Sequence, residues 1–172
     1  MLRLMSSLDI QISQADHKWS YMRNINDELR RAAENGDEES LKALLLNPKC
    51  DALAKDEENW TALMYAACRG HTSCVQLLLP VSDALVKDNY GTTALMLAAG
   101  YGHTSCVQLL LPVSDALAMN KHGKTARSLA NEDGHDATAS LINAYTLAMS
   151  ELAALHSSVT IGQPRRSKAL RV

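Results

Sequence analysis

The sequence predicts an all-α fold, an α-solenoid of about four helix-turn-helix repeats joined by hairpin-like turns. The sixteen residues GHTSCVQLLLPVSDAL occur at 70–85 and again, unchanged, at 102–117. Such self-similarity indicates stacked units, each unable to bury its apolar face alone. Apolar residues make up 47% of the chain and aromatic residues only 4%, with no Phe. A core of Leu, Ala, Met and Val favours closely packed helices over a β-sandwich.

The first helix of each repeat is predicted after a threonine. One motif recurs every 32 residues, as TALMYAACRGH at 61–71, TALMLAAGYGH at 93–103 and, less well preserved, TARSLANEDGH at 125–135. The segment DELRRAAENGD at 27–37 is a degenerate first copy, offset by 34 residues. A threonine hydroxyl can accept hydrogen bonds from the first free amides of a helix, which predicts caps at Thr61, Thr93 and Thr125. Gly70 and Gly102 are predicted to end the helix in a left-handed conformation.

The residues after Gly70 and Gly102 predict a second helix and then a connector to the next repeat. Cys74, Val75, Leu77 and Leu78 have helical spacing and are predicted to face the core. Prolines at 80 and 112 are predicted to stop this helix, because proline cannot continue its hydrogen-bond ladder. The connectors KDEENW, KDNYGT and NKHGKT are typical of turns. Asn59, Gly91 and Gly123 share a position there that favours positive φ.

The pattern T-x-L-x-x-A-A-x-x-G-H followed by V-x-L-L-L resembles the ankyrin repeat over roughly residues 23–148. Ala62 and Ala94 stand where that family usually has Pro, and Met64 and Met96 where it usually has His; this Ala/Met variant is similar to repeats of some protist ankyrin-repeat proteins. The resemblance implies an array that grips a protein partner through its concave surface, built from hairpin connectors and first helices.

The predicted organisation has a repeat array between two terminal segments. Residues 1–22 form an N-terminal segment or cap, residues 149–155 end a capping helix, and residues 156–172 form a disordered basic tail. The predicted repeats cover about 23–55, 56–87, 88–119 and 120–148.

The two central repeats differ in few places, and those places predict a binding surface. Between 56–85 and 88–117, seven of thirty aligned pairs differ, and six of the seven lie in the connector or at the end of the first helix. Either the repeat was duplicated recently and has since accumulated neutral substitutions on exposed turns, or these positions diversified because they contact a partner. Trp, Tyr and Arg, the types acquired here, are enriched in interface hot spots. The residues predicted to bind a partner are Glu57, Glu58, Trp60, Cys68, Arg69, Asn89, Tyr90, Thr92, Tyr101, Lys121, His122 and Lys124.

Charge and motifs narrow the class of function. The chain carries a net charge of −2, and because residues 156–172 hold four basic residues and no acid, the remainder carries −6, so no nucleic acid partner is expected. No apolar run suits a signal peptide or a membrane span, which predicts an intracellular, cytoplasmic protein with free thiols. No catalytic, cofactor-binding or metal-binding motif occurs. The recurring histidines, His71, His103 and His135, are interpreted as structural, and Cys68 is the thiol that could be reactive.

Two hypotheses for function follow. The first is a non-catalytic protein–protein interaction module or scaffold, a monomeric array that binds a protein partner through the concave surface of hairpin tips and first helices. The alternative is a regulatory subunit or inhibitor whose terminal segments make the decisive contact, with the repeats as a platform. An enzyme is not expected.

Overall fold

The computed structural model describes residues 25–160, and it confirms the predicted all-α solenoid. Within these residues the chain forms eight α-helices and no strand. The helices are α1 (25–35), α2 (Glu38–Leu45), α3 (Ala62–Arg69), α4 (Thr72–Leu78), α5 (Ala94–Gly100), α6 (Thr104–Leu110), α7 (Ala126–Glu132) and α8 (Asp136–Thr160). They form four consecutive pairs, in which the first helices α3, α5 and α7 pack on one another in chain order.

The predicted helix caps are present. The hydroxyl oxygens of Thr61, Thr93 and Thr125 each accept a hydrogen bond from the amide three residues later, at 3.4, 3.3 and 3.2 Å. Thr125 also forms a reciprocal capping box with Ser128. These bonds satisfy amides that have no partner inside the helix, so each first helix begins where the local sequence places it.

The two prolines act as predicted, with one refinement. Helices α4 and α6 end at Leu78 and Leu110, and each continues as a single 3₁₀ turn, Leu79–Val81 and Leu111–Val113. Proline lies at the start of this turn, where its missing amide hydrogen costs no hydrogen bond. The second helix therefore ends in a single tighter 3₁₀ turn that contains the proline.

The core consists of small and branched residues stacked from repeat to repeat. The alanine pairs at 66–67 in α3 and 98–99 in α5 are fully buried, as are Leu63 and Leu95. Cys74, Val75 and Leu78 are also fully buried, whereas Leu77 is half-buried. Alanine has no side chain beyond Cβ, so neighbouring first helices approach closely and exclude water along the length of the array.

A histidine from each later repeat lies over a glycine of the repeat before it. Gly70 has φ +77°, and a Cβ atom placed on it would lie 2.5 Å from Nδ1 of His103. Gly36 and Gly102 have the same relation to His71 and His135. Nε2 of His103 lies 3.0 Å from the carbonyl oxygen of Cys68, to which it donates because a carbonyl only accepts. The predicted structural role of these histidines is thus a contact between repeats.

The end of the array differs from the prediction in one boundary. The sequence predicts that a disordered tail starts at His156, but helix α8 continues to Thr160. Residues 156–160 contain no helix breaker, and Gly162 and Pro164 come only later, so the Ala- and Leu-rich helix is not interrupted at 155. The predicted segment 1–22 and the rest of the tail, 161–172, lie outside the described residues.

Candidate functional site: the hairpin tips and the grooves beside them

Three hairpin tips with one shared backbone conformation line one edge of the array. We call residues 55–60, 87–92 and 119–124 tip 1, tip 2 and tip 3. In tip 1, Oδ1 of Asp56 accepts hydrogen bonds from the amides of Glu58 and Trp60, at 3.0 and 2.7 Å. Asp88 makes the same pair of bonds in tip 2, and the amide oxygen of Asn120 makes it in tip 3. A short polar side chain at this position thus builds the same turn three times.

The predicted positive-φ residues close these turns. Asn59, Gly91 and Gly123 have φ of 63°, 76° and 71°. Asparagine is the residue other than glycine that most readily adopts this conformation. The shared turn geometry therefore tolerates different residues at the two positions that precede the positive-φ residue, and these two residues project from the tip.

Adjacent tips are joined by hydrogen bonds. The amide of Asn89 donates to the carbonyl oxygen of Glu58 at 3.1 Å, and the amide of Lys121 donates to that of Tyr90 at 2.8 Å. The side chain of Asn89 also donates to the carbonyl oxygen of Glu57 at 3.2 Å. Asn89, a predicted partner-binding residue, is therefore engaged in holding tip 2 to tip 1.

A groove lies between repeats two and three, and half of the predicted partner-binding residues line it. Its volume is about 450 Å³. We call it the central groove; its lining residues are Glu34, Glu58, Trp60, Tyr65, Cys68, Arg69, Asp88, Tyr90 and Tyr101. Six of these nine are among the twelve predicted residues. These six residues come from tips 1 and 2 and from the ends of two first helices, and the structure brings them together around one groove.

Two further grooves lie on either side of the central groove. A groove of about 590 Å³ between repeats one and two includes Glu57 and Glu58, and one of about 540 Å³ between repeats three and four includes Thr92 and Tyr101. The predicted residues of tip 3 line neither of these grooves nor the central one. Lys121 and His122 are exposed, and Lys124 is half-buried and forms an ion pair with Glu132.

Two tyrosines dominate the exposed apolar surface of the central groove. Tyr90 and Tyr101 are 62% and 60% exposed. The ring of Tyr90 stacks on His122 with centroids 6.4 Å apart, and that of Tyr101 stacks on His103 at 6.3 Å. Each tyrosine ring is thus stacked on a histidine ring and still has most of its surface exposed to solvent.

Trp60 has a structural contact that the sequence did not reveal. It is half-buried, and its ring packs on Tyr65 with centroids 5.0 Å apart and an interplanar angle of 60°. The hydroxyl of Tyr65 donates to Oδ2 of Asp56 at 2.8 Å. Trp60 therefore belongs in part to the packing between tip 1 and α3. Tyr65 is one of the seven differing positions, but it is not among the residues predicted to bind a partner, because it lies in the middle of a helix.

The partly buried hydroxyl of Tyr65 is predicted to titrate at unusually high pH. Burial, together with its hydrogen bond to Asp56, raises the pKa of Tyr65 from 10.0 to about 12. Because the folded pKa is raised, this stabilisation is fully present below pH 10 and is lost as the pH rises through about 12. We expect a spectrophotometric phenolate titration to show one late component that disappears in Tyr65→Phe. A titration in Tyr65→Phe that keeps this component would contradict the assignment.

An ion pair between Arg69 and Glu34, two residues that line the central groove, connects the first two repeats. The guanidinium of Arg69 lies 2.6 Å from Glu34, and this hydrogen bond raises the pKa of Arg69. Both side chains are substantially exposed, so the ion pair contributes little to stability. Glu34 was missed because the first repeat is a degenerate copy, too different from the central pair for a comparison position by position.

The thiol of Cys68 is not activated. Burial raises the pKa of Cys68 above its usual range, and the neighbouring Arg69 offsets this only in part. A thiol with a raised pKa carries little thiolate at neutral pH and is a poor nucleophile. The interpretation of Cys68 as a reactive residue is therefore disfavoured.

Residues 25–160 lack the features of two other kinds of site. No group of three or more His, Cys, Asp or Glu side chains in this part of the chain is arranged to hold a metal ion. Among the same residues, no helix combines the length and apolar character needed to cross a membrane.

Comparison with known proteins places this geometry in context. A family model described as ankyrin repeats (3 copies) matches residues 29–121 and, in a second match, residues 82–147. The two matches together cover all four helix pairs apart from the first residues of α1 and the end of α8. No curated protein matches the chain.

Proposed function

Because this chain belongs to the ankyrin-repeat family, whose members are generally protein-interaction modules, we propose that it is a non-catalytic module that binds a protein partner through its concave face. The proposed contact surface is the central groove with the three tips beside it. Family members are typically non-catalytic, and the grooves lie open along the face without forming an enclosed reaction site.

One observation carries the proposal. Half of the residues at which the two central repeats differ line a single groove, and two of them, Tyr90 and Tyr101, have most of their surface exposed there. An exposed pair of tyrosines beside a concave surface supplies a large apolar contact area with polar hydroxyls at its edge. Residues of this type carry most of the binding energy in protein interfaces.

The test is a double substitution in the central groove. The partner is first captured from an extract with the intact chain and identified, and its Kd is then measured by titration calorimetry. We expect Tyr90→Ala together with Tyr101→Ala to weaken binding by at least about 30-fold, because loss of one hot-spot residue costs about 2 kcal/mol or more. Both side chains are largely exposed, so the helical circular dichroism signal is expected to be unchanged.

The chain offers a matched control for this test. Leu85 and Leu117 are 56% and 71% exposed and lie in the segment that is identical in both central repeats. Leu85→Ala together with Leu117→Ala removes a similar kind of exposed apolar surface and is expected to leave the Kd unchanged. Equal loss of affinity in the two double variants, or none in the tyrosine variant, would refute the proposed surface.

The same titration tests the form of the second hypothesis in which the C-terminal segment makes the decisive contact. Deletion of residues 161–172 leaves helix α8 intact to its last described residue. Binding through the concave face survives this deletion, whereas binding through the tail does not. Trp60 is left unchanged in all variants, since its packing on Tyr65 would mix a change in folding with a change in affinity.

A further inference from the structure

The three tips have the same backbone and different net charges. Tip 1 carries three acids against one lysine, a net charge of −2; tip 2 carries one acid and one lysine and is neutral; and tip 3 carries two lysines and no acid, a net charge of +2. The charge therefore changes in equal steps along the edge of the array. In the middle of this series stands Tyr90, exposed and stacked on His122.

The spacing of these charges is held by the fold. Each tip is closed by its own Asp or Asn side chain, and each is joined to the next by a backbone hydrogen bond. The tips follow the stacked helices, whose axes lie about 10 Å apart. The centres of tip 1 and tip 3 are thus separated by roughly 20 Å, which an extended segment of about six or seven residues spans at 3.3 Å per residue.

The outer charges of the series are available to a partner. Glu57, Glu58 and Lys121 are exposed, and none of them forms an ion pair with another residue in the range 25–160. Across the groove from tip 1, Arg30 is already engaged with Asp27 and with the carbonyl oxygen of Ala54.

The basic residues that line the groove between repeats one and two do not cancel the negative charge of tip 1. The groove between repeats one and two is lined by five acidic and three basic side chains, which leaves it net negative. At the other end Lys124 is paired with Glu132, so the accessible positive charge of tip 3 rests mainly on Lys121. Complementary charge steers an incoming partner and fixes its register more than it adds affinity.

From this juxtaposition we propose that the tips select an extended protein segment with split charge: basic residues against tip 1, an apolar or aromatic residue against Tyr90, and acidic residues against tip 3. The inference rests on the proposed function, since it names the kind of partner that the same surface takes. A segment with the same sign of charge at both ends is repelled by the tip of that sign. The tips therefore distinguish partner segments by the order of their charges and not by net charge alone.

The test uses three synthetic peptides of about nine residues, the length that spans the tips with a short margin. Each has Leu-Tyr-Leu at its centre; one has two arginines at one end and two glutamates at the other, one has arginines at both ends, and one has glutamates at both ends. Binding to the full chain is measured by fluorescence anisotropy at low ionic strength. We expect the split-charge peptide to bind about five- to tenfold more tightly than either of the others, and the difference to shrink at high salt.

Single charge reversals are expected to change the preference in opposite directions. Lys121→Glu removes the positive charge of tip 3 and should make the peptide with arginines at both ends the tightest. Glu57→Lys neutralises tip 1 and should favour the peptide with glutamates at both ends. Glu39→Lys and Lys42→Glu make the same changes in net charge on helix α2, away from the tips, and should leave the order unchanged.

Different failures have different meanings. If the split-charge peptide does not bind at about 1 mM, or if the order of the three peptides is the same in Lys121→Glu and Glu57→Lys as in the wild type, the charge-order proposal is wrong. If the order is unchanged while Tyr90→Ala with Tyr101→Ala still weakens partner binding, the concave site stands and only its charge selectivity fails. If that tyrosine variant leaves partner binding intact, the proposed function itself fails.

Discussion

Replacing Gly70 by alanine is expected to destabilise the array by about 2–5 kcal/mol. Gly70 has φ +77°, a conformation that costs a residue with a Cβ atom about 1–2 kcal/mol. The new Cβ would also lie 2.5–2.8 Å from three ring atoms of His103, and relief of such overpacking costs about 1–3 kcal/mol more. Chemical denaturation followed by circular dichroism measures the sum.

The same chain separates the two costs. Gly134 has the same φ, +77°, but a Cβ atom at this residue would meet nothing within 4 Å, so Gly134→Ala should lose only about 1–2 kcal/mol. His103→Ala in the Gly70→Ala background should restore part of the loss, which appears as a coupling energy in a double-mutant cycle. Equal destabilisation by Gly70→Ala and Gly134→Ala would show that the histidine contact carries no cost.

Replacing Leu95 by alanine is expected to cost about 2–5 kcal/mol of stability. Leu95 is fully buried between first helices, and its truncation loses apolar burial and leaves a cavity that the surrounding helices fill only in part. Because stability in a repeat array is a sum over neighbouring interfaces, we expect the loss to appear as faster hydrogen exchange in α5 and in the adjacent α3 and α7.

The matched control occupies the same place in the next repeat. Arg127 corresponds to Leu95, is exposed, and donates a hydrogen bond to Asn143 at 2.7 Å. Arg127→Ala should change the free energy of unfolding by no more than about 0.5 kcal/mol, as is usual for surface positions. A cost for Arg127→Ala similar to that for Leu95→Ala would mean that the last repeat is covered on this side and does not end the array's core.

Much of the local structure was predictable because its causes lie within a few residues of each other. The threonine caps, the glycines with positive φ and the turn at Asn59 depend on short-range hydrogen bonding and on backbone sterics, and the structure has them where the sequence placed them. The end of α8 was placed too early, since a change of composition at His156 is not a helix breaker.

The candidate site was predictable in part, for a different reason. The comparison of two copies finds residues that differ, so it found Tyr90, Tyr101 and Arg69 and passed over Asp56 and Asp88, which are the same in both. Those two aspartates set the conformation of their tips, and Asp56 also receives the hydroxyl of Tyr65. Glu34 could not be found in this way, because its repeat has no close copy.

By itself, then, the sequence determined the repeat unit, its helices, its turns and the positions free to vary, all of which follow from periodicity and local backbone chemistry. Only the tertiary structure decided which residues from different repeats meet: the ring of His103 over Gly70, Arg69 beside Glu34, and three tips of opposite and neutral charge joined along one edge. These contacts join residues about one repeat apart, and their distances depend on how closely the alanine-lined helices stack, which no single repeat specifies.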